Sequence, residues 1–240
     1  MSHLHIHKFI LPIILIFFGV YFYSVYSLLI IHAAVGDIVI SASDIIDSNI
    51  HGQWTKIQDN TTSGGVKIKN TNNRIPKLTE ASANPSNYFE ATFYAEAGKR
   101  YQIWFRMEAE NNDFQNDSIF VQFSDSLDTV GSPHYRIGTV DSLIGFLEEN
   151  STGISGWGWN DNNYNGIGPT IQFESTGNHT IRVQQREDGV AIDEIVLSSS
   201  TYLTQSPGLT QNDATFVQKD TTPSVSITPT PTTPLATTPT

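Results

Sequence analysis

Residues 178–198, NHTIRVQQREDGVAIDEIVLS, constrain what this chain can fold into more than any other stretch. Over 179–186, Ile181 and Val183 alternate with Arg182 and Gln184, the period-2 pattern of a strand with one buried face. Glu187, Asp188 and Gly189 then form a tight turn, and a second strand runs over 190–197. That second strand is apolar on both faces except at Asp193 and Glu194. A carboxylate inside such a strand is costly unless it is paired or binds a cation, so Asp193 demands a partner.

Further strand signals follow one another from Asp37 on, separated by Gly, Asn, Asp and Ser. They fall at 38–42, 54–57, 66–70, 88–95, 101–109, 118–124, 135–138, 143–148 and 170–174. Outside residues 9–31 no segment carries a 3.6-residue apolar period. Many short strands with such turns predict an all-β sandwich or jelly roll. Tyr101, Ile103, Phe105 and Met107 share one face of their strand, as do Ile119, Val121 and Phe123, and both sets are assigned to the core. Trp54 and Trp104 are assigned there too.

The closing hairpin, T-I-R-V at 180–183 and I-D-E-I-V-L at 192–197, resembles the end of the galactose-binding-like jelly rolls, which include the family 6 and family 35 carbohydrate-binding modules. Three upstream pieces agree in order: Ser63-Gly64-Gly65-Val66; a strand at 88–93 followed by Ala97-Gly98-Lys99-Arg100-Tyr101; and Gln102-Ile103-Trp104-Phe105-Arg106. The resemblance covers 37–204. G-W-G-W at 156–159 and Q-Q-R-E-D-G at 184–189 are similar to uncharacterised β domains of large secreted microbial proteins, a likeness that fixes no function. The modules' structural calcium, held by an E-A-E run and the Asp of I-D-x-I, implies a calcium at Asp193. Ser41-Ala42-Ser43 stands where both glutamates are expected, which leaves Asp44, in a shifted geometry, as the second ligand.

The charge balance excludes one class of partner. Acidic residues number 24 against 13 basic ones, a net charge of −11, whereas phosphate-backbone binding is driven by clustered Lys and Arg. No nucleic-acid partner is expected. Cysteine is absent, which removes disulfides, thiolate metal sites and thiol nucleophiles.

Residues 1–35 read as a signal peptide or a signal-anchor helix. The apolar run at 9–31 has the length of a membrane span, whereas Ser24, Ser27 and the small residues after His32 suit cleavage. Both readings place the remainder outside the cell, secreted or held at its surface. His3, His5 and His7 read as the polar lead of that segment. One β-sandwich is expected over 36–204, and a disordered Thr/Pro-rich linker or stalk over 205–240. Asn60, Asn116, Asn150 and Asn178 open N-x-[ST] sequons available outside the cell.

The richest loop for binding chemistry is 150–169, NSTGISGWGWNDNNYNGIGP. Sugars stack their C–H faces on aromatic rings while amides and carboxylates take the hydroxyls. Trp157, Trp159 and Tyr164 supply rings there, and Asn160 and Asp161 supply polar partners. A second polar loop, 110–117, adds Asn112, Phe114 and Asp117, and the expected strand order brings both loops to one end of the sandwich. The competing reading packs at least one of Trp157 and Trp159 inward.

Asp161-Asn162-Asn163-Tyr164-Asn165-Gly166 fits D-x-N-x-N-G, the first half of an EF-hand loop. Gln172 at the twelfth position cannot supply the bidentate carboxylate, and no helices flank it, so only a looser calcium-stabilised loop is left open. Catalytic signals are sparse: Gly153-Ile154-Ser155-Gly156 lacks the nucleophile-elbow spacing, and His51, His134 and His179 are scattered. The expectation is a monomeric, non-catalytic, exported carbohydrate-binding module. A structural or adhesive surface domain is the alternative, and a glycoside hydrolase the third reading.

Overall fold

The computed structural model describes residues 36–219. The expected signal or anchor at 1–35 and the stalk from 220 onward lie outside the described residues. Among those described, no helix is long and apolar enough to cross a membrane.

The chain is an all-β sandwich of two antiparallel sheets. One sheet is built from β1 (Ile38–Ser41), β3 (Trp54–Gln58), β4 (Val66–Asn70), β6 (Gln102–Ala109), β10 (Gly158–Asn160) and β13 (Val190–Ser198). Its order is β10-β6-β13-β4-β3, with β1 also paired to β13. The other sheet contains β2 (Ile50–His51), β5 (Tyr88–Ala95), β7 (Ser118–Phe123), β9 (Leu143–Phe146) and β12 (Gly177–Gln185), in the order β2-β5-β12-β7-β9. A small pair, β8 (Ser126–Leu127) with β11 (Gln172–Phe173), closes one end.

The inner faces meet where the period-2 patterns place them. Ile103, Phe105 and Met107 of β6 share one core with Phe89, Ile119, Val121, Phe123, Ile181 and Val183 of the opposite sheet. Trp54 joins it edge-on to Phe89. The expected strand at 135–138 is not formed: Arg136 makes a single parallel bridge to Phe123. Tyr135 there adopts φ 52°, which breaks an extended run.

β13 explains its own two-sided sequence. Val190 and Ile192 point into the core, and so do Ile195 and Leu197, although they have opposite parity. A register shift between Ile192 and Glu194 against β6 reconciles them. A β-bulge inserts one residue, so the side chains that follow change face. Asp193 and Glu194 sit at that bulge on the far side of the sheet from the core.

That far side is covered as well. Tyr202 and Val217 form a second apolar cluster with Val39, Trp104, Trp159 and Val196. Trp104 Nε1 donates to the Tyr202 carbonyl at 2.7 Å and Trp159 Nε1 to the Thr215 carbonyl at 3.2 Å. The segment 202–217 is therefore a strap across the sheet. The expected domain end at residue 204 is corrected: 205–219, read as the start of a linker, is packed against the fold because its Thr215 carbonyl satisfies the Trp159 indole and its Val217 fills the second cluster.

Candidate functional site

The loops at one end of the sandwich build an open cleft of about 700 Å3. One wall is the turn 110–116, where Asn111 and Asn112 adopt φ 61° and 54°, a conformation asparagine tolerates better than most residues. Asn116 Nδ2 donates to the Glu110 carbonyl at 3.1 Å and closes that turn. The opposite wall is 72–77, held by Asp188 Oδ2, which accepts from the Asn73 and Ile75 backbone at 2.6 and 3.1 Å. Asn72, Arg74, Lys77, Asp113, Gln115 and Glu187 also line the cleft. On its rim Phe114 is 65% exposed, unusual for an aromatic ring that could have been buried.

The cleft rests on a buried carboxylate pair. Asp117 and Glu187 are both buried, and Ser118 Oγ donates to Glu187 while accepting from Arg186 Nη1 at 2.5 Å. Burial, and then the hydrogen bond and charge of Glu187, push the Asp117 carboxyl up to about 8. It therefore carries a proton at neutral pH.

The two loops singled out in the sequence do meet. Asn112 Oδ1 accepts from the Gly156 backbone at 2.9 Å, tying 110–117 to the Trp-containing loop. The structure does not, however, bring Trp157, Trp159 and Tyr164 to a common exposed platform. Trp159 is fully buried under the strap. Trp157 is buried too, its ring 4.9 Å from the Arg106 guanidinium and its Nε1 donating to Thr61 Oγ1 at 3.0 Å. Tyr164 is half-buried, edge-on to Phe146, and its hydroxyl accepts from the Ser151 backbone. Asn160 is spent on the chain itself, donating to the Leu147 carbonyl and accepting from the Asp161 backbone. Asp161 is buried among backbone donors, and burial lifts its carboxyl to about 6. The wall at 72–77 escaped the sequence reading. Its signal, a polar N-N-R-I-P-K run, looks like any connecting loop.

The calcium expected at Asp44 and Asp193 meets protein cations in place. Arg106 Nη1 lies 2.5 Å from Asp193 Oδ2, both side chains being buried. Ser63 adds its backbone N–H at 3.0 Å and its hydroxyl at 3.1 Å to Asp193 Oδ1. Trp157 and Phe216 cover the guanidinium at 4.9 and 4.8 Å. Burial raises the Asp193 carboxyl above its ordinary value, opposed by the Arg106 charge and the Ser63 hydrogen bonds. Asp44 pairs with Lys219 and accepts from the Ser41 backbone at 2.8 Å. A calcium there would oppose two like charges across one carboxylate, and these residues do not fit it. Among the described residues, no group of three or more His, Cys, Asp or Glu is placed to hold a metal ion.

The chain matches no protein-family model and no curated protein sequence. Among solved structures its neighbours include carbohydrate-binding modules and carbohydrate-active enzymes. It is similar to a Podospora anserina β-(1,4)-mannanase with a family 35 module, at 13% identity and TM-score 0.43, over 69% of this chain and 28% of the enzyme. It is similar to a family 35 carbohydrate-binding module from Clostridium thermocellum, at 15% identity and TM-score 0.38, over 67% of this chain and 98% of the module. A third is the C-terminal family 6 module of a Zobellia galactanivorans laminarinase, at 13% identity and TM-score 0.38, over 68% of this chain and 98% of the module.

Proposed function

We propose that this protein is a non-catalytic carbohydrate-binding module of jelly-roll type, exported by residues 1–35, that takes a glycan in the cleft beside Phe114. The observation that carries this reading is the pairing of one exposed ring with dense polar lining. Phe114 offers a flat apolar face, and Asn72, Asn111, Gln115 and Asp113, which line the same cleft, offer acceptors and donors for hydroxyls. Hydrolysis fits less well. Two glycosidase carboxylates stand apart across the scissile bond, about 5–9.5 Å, whereas Asp117 and Glu187 hydrogen-bond to each other beneath the cleft.

A glycan array probed with the full chain and with Phe114→Ala tests the proposal. A bound glycan is expected whose affinity falls about tenfold on losing the ring, a stacking contact of about 1–1.5 kcal/mol, with unfolding unchanged. Wild type binding no glycan, or Phe114→Ala binding as wild type does, rejects the cleft.

A further inference from the structure

Two strands of the sandwich keep an edge that no other described strand covers. β2 pairs with β5 only at Tyr88 and Phe89, so the outer edge of β5 is bare past Phe89. β1 pairs with β13 alone, which leaves its other edge bare too. Both edges line one open groove of about 490 Å3. Ile38, Val39 and Ile40 line it in succession, and so do residues 90–94. Successive side chains point to opposite faces of a strand, so the walls of this groove are backbone edges.

Single hydrogen bonds fix which backbone groups face it. In an antiparallel strand the N–H and C=O of one residue point to the same edge, and the next residue points to the other. The Asn87 carbonyl accepts from the Gln185 backbone of β12, whereas the Glu90 carbonyl accepts from Asn49 Nδ2 on the opposite side. Thr92 and Tyr94 therefore turn their backbone groups outward with Glu90, and no backbone partner meets them among the described residues. The Ser41 N–H is likewise turned off β13, to Asp44 Oδ2 at 2.8 Å, and Val39 shares its direction. Such edges are templates for one more strand.

The groove favours a neutral occupant, because its charges are already engaged. Asp44 pairs with Lys219, Glu90 with Arg182, and Asp37 accepts from the Ser198 hydroxyl and the Thr201 backbone. Lys219, at the end of the described residues, itself lines the groove. Beyond it, residues 221–240 carry no charge, and Ser224-Val225-Ser226-Ile227-Thr228 is their longest run without proline. Val225 and Ile227 alternate with hydroxyl residues, the pattern of a strand with one apolar face. Ile38 and Ile46 on the groove offer that face a partner. Ser224 follows Lys219 by an extended span of at most about 17 Å, so the run begins within reach.

We propose that residues 224–228 dock in this groove as an added strand on the outer edge of β5, bonded to the Thr92 and Tyr94 backbone. Pro223 and Pro229, which have no N–H to give, bound the strand at either end. The Thr/Pro-rich remainder then leaves the domain at Pro229 rather than at Lys219. This docking goes beyond the glycan reading and does not rest on it.

Hydrogen exchange of the full chain, resolved to single amides of β5 by mass spectrometry, tests it. Docking is a local equilibrium, so exchange rather than global unfolding is the readout. The Thr92 and Tyr94 amides are expected to be protected in wild type. They should exchange at least about tenfold faster in Val225→Pro or in Ser226→Pro, since the bonded N–H groups of the segment belong to one parity or the other. Ala91 and Phe93, whose amides face β12, should keep their rates in both variants. Unprotected Thr92 and Tyr94 amides in wild type overturn the docking, and so does protection that neither proline removes. Protection that fades on dilution from about 100 to about 1 μM assigns the groove to a second copy of the chain and overturns it as well.

Discussion

The most expensive side chains in this protein are Arg106 and Asp193, charged and at most 1% exposed. Desolvating such a pair costs several kcal/mol per ion, about what a close contact returns only when the remaining donors are satisfied. Arg106 comes close: Nη1 serves Asp193 and the Thr61 carbonyl and Nη2 the Asp213 carbonyl at 2.8 Å, leaving Nε unpartnered. Removing one ion strands the other. Asp193→Ala is expected to destabilise by about 3–5 kcal/mol in urea unfolding, and Asp193→Leu combined with Arg106→Met by less than either single change. A loss below about 1 kcal/mol from Asp193→Ala would refute the pair's importance. The need for a partner at Asp193 was legible in the sequence, because a strand apolar on both faces leaves a carboxylate nowhere to go. The partner's identity was not. Arg106 lies 87 positions away on a neighbouring strand, and a calcium satisfies the same electrostatic demand. Trp157 and Trp159 show a similar limit: alternation puts both indoles on one side of their strand, but whether that side meets solvent depends on residues more than 40 positions later, as the 56-position reach from Trp159 to Thr215 illustrates.

Among elements, the closing hairpin and the β5–β6–β7 strands follow from period-2 patterning, and the structure forms them within a residue or so of the expected bounds. The strap does not follow from any period. Its residues, polar and rich in Ser, Thr, Gln and Asn, have the composition of a linker, and what holds it is chiefly backbone geometry. The Asp213 backbone donates to the Trp157 carbonyl at 2.8 Å and the Trp159 backbone to the Leu209 carbonyl at 2.9 Å. Val217 donates to Glu194 Oε2 at 3.1 Å, capping the bulge. Such contacts leave no mark on a hydrophobicity pattern. They give the strap a testable weight. A chain ended at residue 219 is expected to unfold like the full protein, whereas one ended at residue 204 removes Val217 from the cluster around Trp159, takes the Thr215 carbonyl from the Trp159 indole and strips Arg106 of the Asp213 carbonyl. By analogy with deleting a buried aromatic, the shorter chain should lose at least about 3–5 kcal/mol. Equal denaturation midpoints for the two chains would show that the strap only rests on the sheet.

For the molecule as a whole, the buried carboxyls decide how stability follows pH. Burial holds Asp117 up at about 8, Glu194 at about 7 and Asp161 at about 6 in the folded state. Once unfolded, each returns to about 4. Between those limits the native state holds protons that the unfolded chain has released, so stability is greatest near the unfolded value and falls as pH rises through the folded ones. Asp59 works in the opposite sense. Burial opposes ionisation there too, but hydrogen bonds from Lys67 and Thr61 outweigh it and bring the carboxyl down to about 2. Asp125 is likewise held below its ordinary value, burial being outweighed by hydrogen bonds from His179 and Ser124. Their contribution is present above about pH 4 and lost as pH falls toward 2. The net charge of −11 adds self-repulsion at the alkaline end. Melting at constant ionic strength is therefore expected to peak near about pH 5, to decline toward about pH 8, and to collapse on the acid side below about pH 3. The alkaline limb carries a residue assignment. Asp117→Asn keeps a neutral donor against Glu187 and cannot ionise, so it should flatten the decline between about pH 6 and 8 while leaving the acid limb in place. A mutant whose decline over that interval is as steep as wild type's would mean that Asp117 ionises freely beneath the cleft and that the carboxylate pair shares no proton.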